Sequence, residues 1–166
     1  MRAFSSLKFA AVIGFLWGLV PGVASAEFFT ASLSGTDEVP ANTSVSTGHF
    51  VFNFVGAGVA NPYTLRYAGL EGAVTMSHIH IGQAGVNGAI TIWLCQTAAA
   101  PAPAAVAAAT PQCPLTATAT VTGTISAAQV LGIAGQLVNA GDLNEVIVRG
   151  LRAGNAYVNV HSSLVP

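Results

Sequence analysis

The chain has 166 residues; 52% are hydrophobic, only 7% are charged, and the formal net charge is −1. A typical soluble domain is roughly a quarter charged, so the polar surface here has to be built from Ser, Thr, Asn, Gln and backbone. Five basic residues, scattered among six acidic ones, form no basic stripe, which excludes nucleic acid as a partner.

Arg2 and Lys8 flank the start of an apolar stretch, Phe9 to Val20, which Pro21 and Gly22 break and Ala24-Ser25-Ala26 follows. This is the tripartite pattern of a secretory signal peptide. Residues 1–26 are therefore expected to be a leader cleaved before Glu27, with residues 27–166 as one β-domain, periplasmic or secreted. No transmembrane anchor is expected after cleavage, because later apolar runs are interrupted by Pro, Gly or charge. Without the leader the chain keeps Arg66, Arg149 and Arg152 and has no lysine.

Short alternating segments with turn residues between them then predict strands at Phe28–Ser34, Gly48–Val55, Tyr63–Tyr67, Val74–Ile81 and Ile90–Gln96. Phe50, Phe52 and Phe54 fall on one face of the second, and Asn87-Gly88 marks a tight turn before the fifth. An Ala/Pro-rich insertion follows, flanked by Cys95 and Cys113. An even cysteine count in an exported chain predicts a disulfide between them. Leu115–Gly123 alternates Thr with small apolar residues and reads as a sixth strand with one wet face.

The last third changes period. Ser126 and Gln129 form a capping box, and Val130, Ile133, Ala134, Leu137 and Val138 keep helical spacing. Asp142 and Glu145 resemble a second cap ahead of Leu143, Val146, Ile147, Gly150 and Leu151, with Gly154 as the stop. Asn155–His161 is the final strand. The fold class expected is mainly β: one antiparallel Greek-key sandwich or flattened barrel, with one or two short helices in the last third.

Three of the four histidines sit in two of these strands, in Ser77-His78-Ile79-His80-Ile81-Gly82 and Tyr157-Val158-Asn159-Val160-His161. Side chains two apart on a strand share a face, about 7 Å apart along it. His78 and His80 are thus neighbours, with Ile79 and Ile81 turned to the core, and His161 shares their parity with Tyr157 and Asn159. The imidazoles point away from the main core, toward solvent or a covering loop. Imidazoles without thiolates suit copper or zinc, and copper binds more tightly at equal geometry. Met76, two before His78, is a candidate soft ligand; His49 is a candidate fourth; Asn159 and Ser162 are candidate supporting groups behind the ligands. Because a protonated imidazole cannot ligate, affinity is expected to fall below about pH 6. There is no G-x-S-x-G, no P-loop and no catalytic carboxylate pair that spacing alone suggests, and Ser77 faces away from His78, so an enzyme ranks third, behind a metal-binding module and a structural or adhesive one.

Four stretches carry a family resemblance: Leu33-Ser34-Gly35-Thr36-Asp37-Glu38-Val39-Pro40, Ser77 to Gly82, Gly85-Val86-Asn87-Gly88, and Gly154 to Ser162. In this order they resemble the CHRD domain family, found in chordin and in exported bacterial proteins. The family usually continues past its last histidine with a Gly-Glu-Ile-Arg-Gly-like strand, and the Cys95–Cys113 insertion departs from its pattern. A looser likeness is to copper/zinc superoxide dismutase, whose copper histidines His78, His80 and His161 match in type and order. That enzyme's bridging histidine, zinc loop and active-site arginine have no counterpart, so the likeness implies a copper site on a β-sandwich and does not extend to dismutase activity. Chordin's role as an extracellular binder of growth factors implies the alternative, a structural or adhesive module for an extracytoplasmic protein, with no metal.

Overall fold

The computed structural model describes residues 26–165. The leader expected over residues 1–26 therefore lies, but for Ala26, outside the described residues. Seven strands form two antiparallel sheets: β1 (Glu27–Ser34), β2 (Thr47–Phe54), β3 (Asn61–Ala68), β4 (Val74–Ile81), β5 (Ala89–Cys95), β6 (Ala119–Ile125) and β7 (Ala156–Ser162). The first sheet runs β1-β2-β3-β6 and the second β5-β4-β7. The result is a sandwich and not a closed barrel. Each predicted strand is present, within a few residues at its ends.

Period-two alternation explains the packing. Phe50 and Phe52 of β2 lie opposite Leu65 and Tyr63 of β3, and Leu65 opposite Val121 of β6, all facing inward and buried. The second sheet answers with Ile79, Ile81 and Ile92, and with Val158 and Val160 half-buried beside them. The Tyr63 hydroxyl donates across the sandwich to the Leu94 carbonyl, so this buried ring keeps its polar end satisfied. Asn61 is fully buried at the start of β3. Its Oδ1 accepts from the Val55 and Gly56 amides, and its Nδ2 donates to three carbonyls, closing the turn that leads in from β2.

The helical expectation holds for one segment and fails for the other. The Asp142 carboxylate accepts from the Glu145 amide at 3.0 Å and starts α2 (Leu143–Glu145), which widens into a π-helical stretch, Val146–Leu151. Gly154, at φ 67°, ends it. The β-branched run Val146-Ile147-Val148 is thus helical and not a strand. After Ser126 the capping box forms as read, yet it opens only a 3-10 turn, Ala127–Gln129. The chain then folds back on itself: Ile133 bridges Val138 around a second 3-10 turn, with Leu137 left-handed at φ 58°. That turn puts Val130 and Val138 both inward. The spacing that mimics a helix comes from two buried residues on either side of a reversal.

The insertion is structured. Cys95 and Cys113 are disulfide-bonded, and a short helix, α1 (Ala104–Ala107), lies between them. Gln96 is the hub: its Nε2 donates to the Ala107 and Thr110 carbonyls, and its Oε1 accepts from the Ala102 amide. The insertion lies over the outer face of the second sheet, where Ala102 and Val106 pack on Trp93, with Met76, Ile90 and Leu131 around them.

Candidate metal centre

The register of the second sheet assembles the site in rows. His80 of β4 lies between Ile90 and Tyr157; His78 lies between Trp93 and Asn159; Met76 lies opposite His161. All these side chains share the outer face, because Ile79 and Val158 between them take the core face. His78, His80 and His161 come together: one ring nitrogen from each lies within 4.8 Å of the others. The His78 ring is 4.5 Å from His80 and 4.7 Å from His161, centroid to centroid.

The face is not open to solvent. His78 is only 1% exposed and His80 9%, and both nitrogens of His78 and Nε2 of His80 are buried without a protein hydrogen-bond partner. Of the two environments left open by parity, solvent or a cover, the second is the one found. Burial holds both imidazoles neutral: desolvation, with the charges of His161 and His80 second, pushes His78 down to about 2, and desolvation lowers His80 too. Neutral imidazoles with unshared lone pairs and no other partner are what metal ligation requires.

The structure also fixes a tautomer. The His80 Nδ1 lies 2.9 Å from the Gly88 carbonyl, which can only accept, so Nδ1 carries the proton and Nε2 the lone pair. Ligating histidines are commonly oriented in this way. The Gly88 amide donates to the Tyr157 hydroxyl at 2.9 Å, and the Tyr157 ring stacks on His80 at 4.7 Å and 5°. One residue of the turn before β5 therefore holds both rings. Only glycine fits there, since a Cβ would collide with the Ile81 carbonyl. Gly88→Ala should lower stability by about 1–3 kcal/mol, the usual range for overpacking, and release the His80 ring; a urea titration and the His80 imidazole resonances check both.

The remaining sequence candidates lie as follows. His49 is exposed on β2 in the other sheet, between Ser32 and Arg66, and is not part of the cluster. Met76 is on the triad's face and packs against the Trp93, Ala102 and Val106 cluster. The Asn159 Nδ2 donates to Glu38 at 3.2 Å, and the Ser162 hydroxyl donates to the Glu71 carbonyl, so the polar bonds of both are made away from the histidines. Gly88 and Tyr157 touch His80, and the Trp93 ring lies 5.4 Å from that of His78, edge-on. Trp93 was legible as the aromatic of β5, but its place opposite His78 depends on the irregular register between β4 and β5. His161 also lines a cavity of about 250 Å³ beside β7, which makes its side the less covered approach.

Fold and site together define an antiparallel sandwich domain with a three-histidine cluster, two of its rings buried and the third partly so, on the outer face of one sheet. The family model for the CHRD domain matches residues 29–166, and the chain belongs to that family. No curated protein and no solved structure matches the chain. The likeness to the copper/zinc dismutases thus rests on the three histidines alone.

Proposed function

We propose that this CHRD domain binds one metal ion, copper preferred, through His78, His80 and His161, and does so as an exported protein. The observation that carries this is the cluster itself: three imidazole nitrogens within 4.8 Å, on a face sealed from water at His78, with the lone pairs of His78 and His80 unclaimed by protein donors. Metal–nitrogen bonds of about 2.0–2.1 Å would bring three such nitrogens together with small ring movements. Zinc takes the same ligands but sits below copper in intrinsic affinity. The Cys95–Cys113 disulfide suits an oxidising compartment. It supports export into the periplasm or beyond, together with the leader-like residues 1–26.

Metal analysis of the purified protein and titration with Cu(II) and Zn(II) test the reading. One-to-one binding at micromolar affinity or tighter is expected. Changing any one of the three histidines to alanine should weaken it at least tenfold, about 1.4 kcal/mol, whereas His49→Ala should leave it unchanged. Absence of binding would leave the alternative, a structural or adhesive module that engages another extracytoplasmic protein.

A further inference from the structure

We propose that the triad selects a soft monovalent ion, cuprous copper or silver, over divalent copper and zinc, with Met76 and Trp93 as the residues that set the preference. This rests on the metal-binding reading above and goes on to the charge and softness of the ion.

The ligand set is the first reason. The cluster contains three histidines and no carboxylate or thiolate. Both cysteines are tied to each other. The two glutamates on that side are engaged elsewhere, Glu38 with Asn159, and Glu71 with Ser44, Ser46 and the Val45 amide. Neutral ligands leave the ion's full charge inside the protein. The cost of burying an ion rises with the square of its charge, so a divalent ion costs about four times what a monovalent one does at equal radius. At His78, 1% exposed, that difference is not relieved by water.

The surroundings are the second reason. Met76 lies opposite His161 across the β4–β7 pair and two residues before His78, on the same face, and it packs against the Trp93, Ala102 and Val106 cluster. Directly opposed side chains have Cβ atoms about 4.5–5.5 Å apart, which brings the thioether within reach of an ion held by His161. Thioether sulfur is a soft ligand and favours Cu(I). The Trp93 ring lies 5.4 Å from that of His78, and aromatic rings attract cations that have lost their hydration. Divalent copper and zinc usually complete four or more positions, often with water. The apolar Trp93, Ala102 and Val106 cover leaves little room for that on the His78 side, whereas Cu(I) and Ag(I) are content with three soft or imidazole ligands.

Silver nitrate, Cu(I) held by a competing chelator, Cu(II) and Zn(II) are titrated into the protein. Tryptophan fluorescence gives the affinity, and a Trp93→Phe control, which keeps only the other tryptophan, Trp17, shows how much of the signal belongs to Trp93. One silver or cuprous ion per chain should bind at least 100-fold more tightly than Zn(II) or Cu(II) and quench Trp93. Met76→Leu, which conserves volume, should narrow that preference at least tenfold, with the loss falling mainly on silver and cuprous affinity. Divalent ions binding as tightly as silver, or an unaltered preference in Met76→Leu, would overturn the proposal and leave the three-histidine site standing. If no ion of either charge binds, the site itself is wrong.

Discussion

Acidification should destabilise the metal-free protein before most of its carboxylates are titrated, and His78 should be the main cause. Its imidazole has an ordinary value of 6.5 when the chain is unfolded and is pushed to about 2 in the fold by burial. Between those values the unfolded chain binds a proton that the native state refuses. Stability is therefore full above about pH 6.5 and falls as pH drops toward the folded value, by about 1.4 kcal/mol per pH unit. At pH 4.5 the loss from this one group is about 3 kcal/mol, a large share of a domain's usual 5–15 kcal/mol. His80 is shifted in the same direction. Glu71, held down to about 2 by the hydroxyls of Ser44 and Ser46, adds to the loss only below pH 4.5, while Glu38, raised by burial, opposes it. Denaturant titrations of the metal-free protein at pH 7 and pH 5 measure the slope. His78→Leu should flatten it, and should cost little at pH 7 because the imidazole it removes has two buried nitrogens without protein partners. An equal slope in the variant would mean that His78 is hydrated in solution. The same shift corrects the pH expectation for binding. His78 and His80 stay neutral below the ordinary histidine range, so proton competition at these two ligands should begin well under pH 6, and affinity should persist to lower pH than three exposed histidines would allow.

Removal of the Cys95–Cys113 bond should have a comparable effect on stability at every pH. The bridge joins residues 18 apart, and closing a loop of that size stabilises by about 3 kcal/mol in the chain-entropy account. The paired change Cys95→Ala, Cys113→Ala should lower the melting temperature by about 10 °C. The effect should also reach the site. Cys95 follows Trp93 by two residues, and the bridged segment supplies the Ala102 and Val106 cover over that ring. With the bond gone, hydrogen bonds hold the cover, chiefly those of Gln96 to Ala102, Ala107 and Thr110, with Thr97 to the Thr75 carbonyl and Gln129 to the Ala109 carbonyl. Trp93 emission should shift to the red and its quenching by iodide should rise. A variant with the lower melting temperature but unchanged emission would show that these hydrogen bonds suffice to keep the face closed.

Much of this fold could be read from alternation alone, because the core of a sandwich writes a period of two into each strand. Phe50, Phe52 and Phe54 announced β2, and Ile79 and Ile81 announced which side of β4 was core. The same parity put His78, His80 and His161 on one face. The cover over that face was not legible. Residues 97 to 112 have no period, and what orders them is a disulfide, one buried glutamine and a tryptophan in the neighbouring strand. The segment from Val130 to Val138 was misread for a related reason: a reversal that buries both of its ends imitates helical spacing over so few residues. Gly88 looked like half of a turn dipeptide, and only the backbone trace shows that its amide and carbonyl each hold a ring of the site.

The pairing of β4 with β7 has a further consequence, for when the site comes into being. His80 and His161 are separated by 81 positions in the chain, the difference of their numbers, and nothing but the docking of β7 onto β4 brings them together. Contacts this distant in sequence form late, since the loop between them must be closed first. A chain made and moved N-terminus first presents His78 and His80 as a bare pair, with His161 still to come. The complete triad appears only once β7 has docked on β4, so under the proposed reading an ion would be drawn from wherever folding finishes and not from where the chain is made.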